Sequence, residues 1–247
     1  MTGLLPARDG DAALAGRFGL PLLQAIPAAG HYLTVEDGAL ALAEVGERGR
    51  VVVDFVGGAQ GHRRKFGGGR GQPVARAVGL KPDYQPSVLD ATAGLARDGF
   101  VLASLGCALT LLERSPVACA LVADGLARAL AAPETAAIAA RMQLVHADAL
   151  HWLQQTAEHW DVVYLDPMFP EPGKRAKSKK DMAAFQTLIG GDADADALLA
   201  PARRLATRRV VVKRPRHAPW LAGEKPAFAY EGDSTRFDVY LPVAVSA

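Results

Sequence analysis

The feature that most constrains the fold of this chain is a regular alternation that starts at Ser87. From there, short apolar segments typical of strands alternate with alanine- and leucine-rich segments of helical length. The predicted strands are residues 88–92, 108–112, 142–147, 161–165, 208–212, 228–231 and 237–241, the last two forming a hairpin around Gly232-Asp233. The predicted helices are residues 100–105, 116–130 and 195–206. Such alternation predicts an α/β fold with a mostly parallel, seven-stranded sheet that ends in a C-terminal hairpin.

Residues 1–80 differ from the rest of the chain in the length and spacing of their apolar segments. Their apolar segments, at residues 20–23, 32–35, 40–45 and 51–56, are short and separated by glycine and proline. Such segments predict a small, mostly β region. We therefore divide the chain into this N-terminal region, residues 1–80, and a larger α/β domain, residues 81–247.

The composition bounds the class of protein. Half of the 247 residues are hydrophobic and 22% are charged, which predicts a folded core rather than disorder. The net charge of +2 excludes a polycation but allows a locally basic surface. The N-terminus lacks the apolar core of a signal peptide, and no segment reaches the roughly 18 to 20 apolar residues of a membrane helix. We expect a cytoplasmic protein that does not contact a membrane.

Metal and disulfide chemistry are not indicated by the sequence. Cys107 and Cys119 lack CxxC spacing, which favours reduced thiols in the core. The histidines do not follow a metal-ligand spacing either. The sequence therefore predicts no metal site.

Four acidic residues stand where predicted strands end: Asp90, Glu113, Asp148 and Asp166. A single acid there is unremarkable, because aspartate is common in turns. The carboxyl ends of parallel strands meet at one edge of a sheet, which is where ligands bind in open α/β folds. Four acids in equivalent positions therefore predict a ligand site at that edge.

The first of these turns indicates which ligand. Glu113 lies 23 residues after Asp90, close to the roughly 20-residue spacing of a ribose-binding acid, and the turn at Gly94 is expected to offer backbone N–H groups. Gly94 and Gly99 do not fit G-x-G-x-x-G, and Asp90 with Asp98 would repel a pyrophosphate. The cationic cofactor S-adenosylmethionine (SAM) is therefore favoured, with NAD as the weaker alternative.

The segment from Val162 to Pro170 joins an apolar strand to an acid, two prolines and an aromatic residue. The simplest interpretation is a strand stopped by proline. The other strand-end acids favour an active-site loop instead. We hypothesise that the Asp166 carboxylate and the Pro167 carbonyl accept the two hydrogens of an exocyclic amine, and that Phe169 stacks on the ring.

Three segments concentrate positive charge: residues 57–71, which also contain seven glycines, residues 174–180 and residues 213–217. Each is either a solvated surface or a phosphate-contacting one. So much glycine with so much charge is costly in an idle loop, which favours nucleic-acid or substrate contact for residues 57–71. Residues 174–180 directly follow the proposed base pocket and residues 213–217 end the fifth predicted strand, which favours phosphate contact by both. The predicted RNA-contacting residues are Arg63, Arg64, Lys65, Arg70, Lys174, Arg175, Lys177, Lys213 and Arg214.

Several of these motifs together resemble one known family. The matching segments are residues 54–58, 62–71, 90–98, 112–114, 164–169 and 210–215. They are similar to the RsmJ family of small-subunit ribosomal RNA guanine-N2 methyltransferases, over about residues 50–242. The resemblance implies a class I, Rossmann-like SAM-dependent fold. It also implies that the substrate is 16S ribosomal RNA or the small subunit, at the guanosine numbered 1516.

The resemblance carries roles onto matching positions of this chain. It implies cofactor contacts by Arg97 with Asp98 and by Glu113 with Arg114, and contacts along the adenine by Asp148 and Ala149. Asp166 completes the set. This chain departs from the family pattern in having Asp148 and Ala149 where relatives carry serines. Met168 likewise stands where amino-methyltransferases generally have a second proline.

Two other functions remain open from the sequence. One is methylation of an exocyclic amine on another nucleic acid, such as adenine N6 in DNA. The other is a non-catalytic RNA-binding assembly factor. The acids at Asp90, Glu113 and Asp166 argue against the second, because a protein without catalysis does not need acceptors in both pockets.

Overall fold

The computed structural model describes residues 2–57, 69–167 and 194–243. The strands are β1 (His31–Glu36), β2 (Ala39–Glu44), β3 (Arg50–Val52), β4 (Ser87–Asp90), β5 (Ala108–Glu113), β6 (Met142–His146), β7 (Trp160–Leu165), β8 (Ala206–Pro215), β9 (Phe228–Glu231) and β10 (Thr235–Tyr240). The helices are α1 (Asp11–Phe18), α2 (Pro73–Ala77), α3 (Arg97–Ser104), α4 (Pro116–Ala131), α5 (Ala136–Ala139), α6 (Ala149–Gln155) and α7 (Leu199–Leu205). Within these ranges no helix has the length and apolar character needed to span a membrane.

The large sheet contains seven strands in the order β6-β5-β4-β7-β8-β10-β9. The strands from β6 to β8 are parallel, and β10 and β9 close the edge in antiparallel pairing. After β4 the chain adds β5 and β6 on one side of it and then returns to add β7 and β8 on the other. The sheet order therefore reverses between β4 and β7, which is the position where open α/β sheets bind ligands. The mostly parallel, seven-stranded fold with its C-terminal hairpin is confirmed.

Side chains of the central strands are buried on both faces of the large sheet. In β7, Val162 and Tyr164 face one hydrophobic cluster with α3 and α4, whereas Val163 and Leu165 face a second cluster with α7. This two-sided burial explains the continuous apolar run, because a strand covered on both faces needs no polar alternation.

The first 57 residues form α1 and a three-stranded antiparallel sheet in the order β1-β2-β3. Asp37 and Gly38 join β1 to β2 with positive φ angles of 50° and 77°, as a tight two-residue hairpin requires. The sheet packs on α4, where the Asp124 carboxylate accepts the N–H of Leu40 at 2.9 Å and pairs with Arg8 at 2.9 Å. The division of the chain at residue 80 stays a prediction.

Two of the apolar segments in this region contribute less strand than a mostly β region implies. Residues 20–23 contribute only an isolated bridge between Leu22 and Leu4. The apolar pattern predicts a strand over residues 51–56, but β3 ends at Val52. The Asp54 carboxylate accepts the N–H groups of Val56 and Gly57 at 3.1 and 3.0 Å, so a side-chain-capped turn replaces the sheet ladder.

Two further element boundaries matter for the site. α3 begins at Arg97 rather than at residue 100, following Ala96 in a left-handed conformation with φ of 54°. β8 continues to Pro215, because β10 pairs with it as far as Thr235 opposite Pro215. Lys213 and Arg214 therefore lie within a strand, where successive side chains point to opposite faces.

Candidate active site

The carboxyl ends of β4, β5 and β7 bring three of the predicted acids to one edge of the sheet. Asp90 is the last residue of β4, Glu113 is the last residue of β5, and Asp166 directly follows β7. In the parallel register Asp90 lies opposite Leu111 on one side and Tyr164 on the other. The order reversal of the sheet and this group of acids therefore coincide.

The turn after β4 is tied to the end of β7 by the backbone. The N–H of Ala91 donates to the carbonyl of Tyr164 at 3.0 Å, and the N–H of Asp166 donates to the hydroxyl of Thr92 at 2.6 Å. The N–H of Thr92 in turn donates to the Asp90 carboxylate at 3.2 Å. These bonds hold Asp90 and Asp166 at fixed positions on neighbouring strands.

Asp90 is almost completely buried, with 3% of its surface exposed. Burial raises the pKa of its carboxyl well above the usual range, and the negative charges of Asp166, Asp98 and Glu113 add to the rise. The hydrogen bond from the Thr92 N–H acts to lower this pKa, but the pKa remains raised. A positive charge placed nearby would favour the ionised form of this buried carboxyl.

Asp98, on the first turn of α3, is linked to Asp166 through a lysine. The Lys213 ammonium lies 2.9 Å from Asp98 Oδ2 and 2.8 Å from Asp166 Oδ2. Asp98 Oδ2 also accepts the hydroxyl of Tyr164 at 2.9 Å. Burial acts to lower the pKa of Lys213, but the charges of Asp166 and Asp98 outweigh it and hold that pKa above its ordinary value. Lys213 is therefore an ammonium cation.

Glu113 anchors the turn that contains Gly94. Its carboxylate accepts the N–H of Gly94 at 2.8 Å and the N–H of Ser115 at 2.6 Å. Glu113 therefore takes the N–H of Gly94, and the expectation that this turn offers backbone N–H groups to a ligand stays a prediction. Gly94 has a φ of 54°, and no atom lies within 4 Å of the position that a Cβ would occupy. The turn is thus open to the close approach of a ligand.

The remaining predicted cofactor residues lie at the rim of this group. Arg97 is exposed at the start of α3, and the guanidinium of Arg114 lies 3.4 Å from Asp194. Asp148 caps α6 by accepting the N–H of His151 at 2.9 Å, and Ala149 is the half-buried first residue of that helix. Helix capping accounts for the position of Asp148. Contacts of Asp148 and Ala149 with a cofactor stay a prediction.

The two basic residues predicted on β8 require a correction. Arg214 is buried, with 3% of its surface exposed, and its Nε donates to the Pro219 carbonyl at 3.0 Å. It fastens the loop after β8, so the prediction that it contacts RNA is wrong. Lys213 points to the opposite face, into the carboxylate group. The sequence predicted Lys213 on a basic rim, whereas in the structure its ammonium pairs with Asp98 and Asp166.

Several predicted residues fall outside the described ranges. Phe169 and Met168 follow the last described residue of this stretch, Pro167, which is buried. The predicted RNA-contacting residues outside the description are Arg63, Arg64, Lys65, Lys174, Arg175 and Lys177. Arg70 is described and exposed.

Sequence reasoning missed Thr92 and Tyr164. Thr92 lacked any signal beyond its place in a small-residue turn. Tyr164 interrupts an aliphatic strand two residues before Asp166, and the period of two in a strand places both side chains on one face. That spacing was the signal that could have identified it.

The arrangement suits a cation that approaches the buried carboxylates. Asp90, Asp98 and Glu113 are each less than one-tenth exposed, whereas Arg97 is exposed and Arg114 faces Asp194. The sulfonium and amine of SAM match this charge, and a carboxylate such as that of Glu113 is a suitable acceptor for ribose hydroxyls. Among the described residues no group of three or more His, Cys, Asp or Glu side chains is placed to hold a metal ion.

Comparison with known proteins extends this assignment. A family model for SAM-dependent methyltransferases matches residues 13–242. "Ribosomal RNA small subunit methyltransferase J" of Laribacter hongkongensis is 58% identical, over 98% of this chain and 87% of the relative. The protein of the same name from Chromobacterium violaceum is 53% identical, over 98% of this chain and 96% of the relative. The crystal structure of a SAM-dependent methyltransferase from Neisseria gonorrhoeae matches with a TM-score of 0.81 and 42% identity, over 100% of this chain and 98% of that one.

Proposed function

This chain belongs to the ribosomal RNA small subunit methyltransferase J family of SAM-dependent methyltransferases, and from that membership we propose that it methylates the exocyclic N2 of a guanosine in 16S ribosomal RNA. The observation that carries the proposal is the position of Asp166. Its carboxylate is held at the reversal point of the sheet, beside the carboxylates that suit a cationic methyl donor, and its side chain is 38% exposed. A substrate amine can therefore reach it from solvent.

The cofactor side of the site is formed by Asp90, Asp98 and Glu113, with the open turn at Gly94. We assign the ribose hydroxyls to Glu113 and the positive charge of the cofactor to the buried aspartates. When bound there, SAM supplies an electrophilic methyl group. The residues at the ends of β4, β5 and β7 would hold that group in a fixed orientation, and such positioning is a major source of rate acceleration.

The substrate side is formed by Asp166 and Pro167. The lone pair of a guanine amine is delocalised into the ring, so the amine is a poor nucleophile. Acceptance of its two hydrogens by the Asp166 carboxylate and the Pro167 carbonyl aims the lone pair at the methyl carbon. Phe169 is proposed to stack on the base, as aromatic side chains do with extruded nucleotides.

Phosphate contacts are proposed for the basic segments near this opening. Arg70 is exposed and is the described member of the set. The other proposed members are Arg63, Arg64, Lys65, Lys174, Arg175 and Lys177. Basic side chains around an acidic pocket separate the two ligands by charge, because RNA phosphates bind the rim and a cationic cofactor binds the interior. Such an enzyme acts in the cytoplasm, with ribosomal subunits.

One experiment tests the proposed function against its alternatives. Purified protein is given methyl-labelled SAM with small ribosomal subunits, naked 16S ribosomal RNA or DNA, all from cells that lack the modification. We expect label on a guanine N2 in RNA or in the subunit, and none with Asp166→Ala. Label in DNA alone would favour the adenine N6 alternative. Cofactor binding without label in any substrate would favour a non-catalytic assembly factor.

A further inference from the structure

Lys213 lies where the proposed cofactor side and the proposed substrate side of the site meet. Strand β8 runs parallel to β7 with Leu165 opposite Val212, so Asp166 and Lys213 are the next residues along the two strands. The ammonium bridges Asp166 Oδ2 at 2.8 Å and Asp98 Oδ2 at 2.9 Å. One residue on the substrate side and one on the cofactor side therefore share a single cation.

We propose that Lys213 is a positioning residue for methyl transfer, which keeps the carboxylate of Asp166 ionised and oriented so that it accepts hydrogen bonds from the substrate amine. The acceptor role of Asp166 belongs to the proposed function, and the inference rests on it to that extent. Lys213 acts through Asp166 and does not itself contact the reacting atoms.

The charges around Asp166 explain why a counter-ion is needed. Among the described residues, the charged or titratable groups close to Asp166 include Asp90 from β4, Tyr164 from β7 and Lys213 from β8, and Asp98 from α3 shares the Lys213 ammonium with it. Carboxylates at close range favour proton uptake by one of them, because like charges disfavour ionisation. The pKa of Asp90 is raised chiefly by burial, and the charges of Asp166, Asp98 and Glu113 add to the rise. The Lys213 ammonium between Asp98 and Asp166 counters proton uptake at those two residues.

The chemistry of the transfer requires an ionised acceptor. The N2 lone pair forms a bond to the methyl carbon as the carbon–sulfur bond breaks and its electrons return to sulfur. N2 then carries a positive charge and loses one proton, which passes along the hydrogen bond to Asp166 and from this partly exposed carboxylate to water. A protonated Asp166 would present a donor to the amine and would hold the lone pair away from the methyl group.

Direct titration of the ligand-free protein tests the inference without RNA or cofactor. Carbon-13 NMR follows the side-chain carboxyl of Asp166, which Asp166→Asn identifies by loss of its signal. We expect Asp166 to titrate below an ordinary aspartate in the wild type, and roughly 1 to 3 pH units higher in Lys213→Met, since removal of an adjacent opposite charge has about that effect. Lys213→Arg keeps a cation and should restore most of the shift. Lys81→Met, an exposed lysine outside the site, should leave the titration unchanged.

A kinetic readout then connects the charge to the reaction. Single-turnover methyl transfer with saturating substrate should lose rate on the acid side at a higher pH in Lys213→Met than in the wild type, and Lys213→Arg should recover the profile. An Asp166 that titrates in the wild type at or above the ordinary aspartate value of about 3.9 would overturn the inference. An unchanged titration in folded Lys213→Met would overturn it as well. Because the titration uses no substrate, a shifted midpoint in a protein that fails to methylate RNA would refute the proposed function alone.

Discussion

The backbone N–H of Asp166 donates a hydrogen bond to the hydroxyl of Thr92 at 2.6 Å. This contact joins the turn after β4 to the first residue after β7, across the point where the sheet order reverses. The acceptor proposed for the substrate amine is therefore held in place by a residue of the proposed cofactor turn. A rigid link between the two pockets is what transfer between two bound ligands requires.

Removal of the Thr92 hydroxyl should impair turnover more than cofactor binding. Thr92→Val keeps the volume of the side chain but leaves the Asp166 N–H without this acceptor, at a cost of about 1–3 kcal/mol. We expect kcat to fall roughly 10-fold or more, with affinity for S-adenosylhomocysteine nearly unchanged. Thr92→Ser, which keeps the hydroxyl, is the matched control. Equal kcat values for Thr92→Val and the wild type would show that the contact does not position Asp166.

The hydroxyl of Tyr164 should contribute to cofactor affinity. It is buried and donates to Asp98 at 2.9 Å, and burial together with Asp98 raises its pKa, so it remains a donor across the working range. Tyr164→Phe should weaken S-adenosylhomocysteine binding by roughly 10- to 150-fold, which corresponds to the about 1.5–3 kcal/mol of a hydrogen bond to a charged group. Calorimetry measures this change. Tyr240→Phe, whose hydroxyl donates to Glu224, should bind normally; an equal loss in both would indicate a general effect of hydroxyl removal.

Glu113→Gln tests the assignment of the ribose to this side chain. A carboxamide has one acceptor oxygen in place of two, so it cannot accept both the Gly94 and the Ser115 N–H as Glu113 does. We expect the dissociation constant for SAM to rise roughly 10- to 100-fold, since hydrogen bonds to charged groups contribute about 1.5–3 kcal/mol. Glu158→Gln makes the same change at an exposed glutamate outside the site and should change affinity little. An equal loss of affinity in both variants would contradict the assignment.

Because of Asp90, we expect the ligand-free protein to lose stability as pH rises. Burial raises the pKa of its carboxyl above the ordinary 3.8. Since the folded-state pKa is the higher one, the stabilising contribution is fully present below the unfolded-state value and is lost as pH rises toward the folded-state value. Asp90→Asn should therefore increase the free energy of unfolding at neutral pH and weaken SAM binding. Urea unfolding from pH 4 upward measures the first effect, and a variant less stable than the wild type at neutral pH would contradict it.

Asp124 should couple the small sheet to α4. Its buried carboxylate accepts the Leu40 N–H at 2.9 Å and pairs with Arg8 and Arg128, both at 2.9 Å. Asp124→Ala leaves a buried N–H and two cations without this partner, which should cost about 3–5 kcal/mol. Chemical denaturation measures the loss, with exposed Asp83→Ala as the control. A loss below about 1 kcal/mol would mean that the small sheet is held by other contacts.

Prediction from the sequence succeeded where the role of a residue follows from its own type and its position along the chain. The strand-end position of Asp90, Glu113 and Asp166 follows from apolar runs that stop at an acid, and parallel strands necessarily bring their carboxyl ends together. It failed where a residue's neighbour is distant in sequence. Lys213 and Arg214 are adjacent in a basic segment and were given one role, yet β8 turns one toward Asp98 and Asp166 and the other into the protein.

The sequence by itself therefore determined the sheet, the edge that carries the site and the acids in it, because periodicity and strand ends are local properties. Only the tertiary structure decided which groups share a charge or a hydrogen bond. The Asp166–Thr92 contact and the Lys213 bridge join residues 74 and 47 positions apart, and both depend on the order of strands in the sheet. Electrostatic and hydrogen-bond energies act over a few ångströms in space, so no local pattern could assign them.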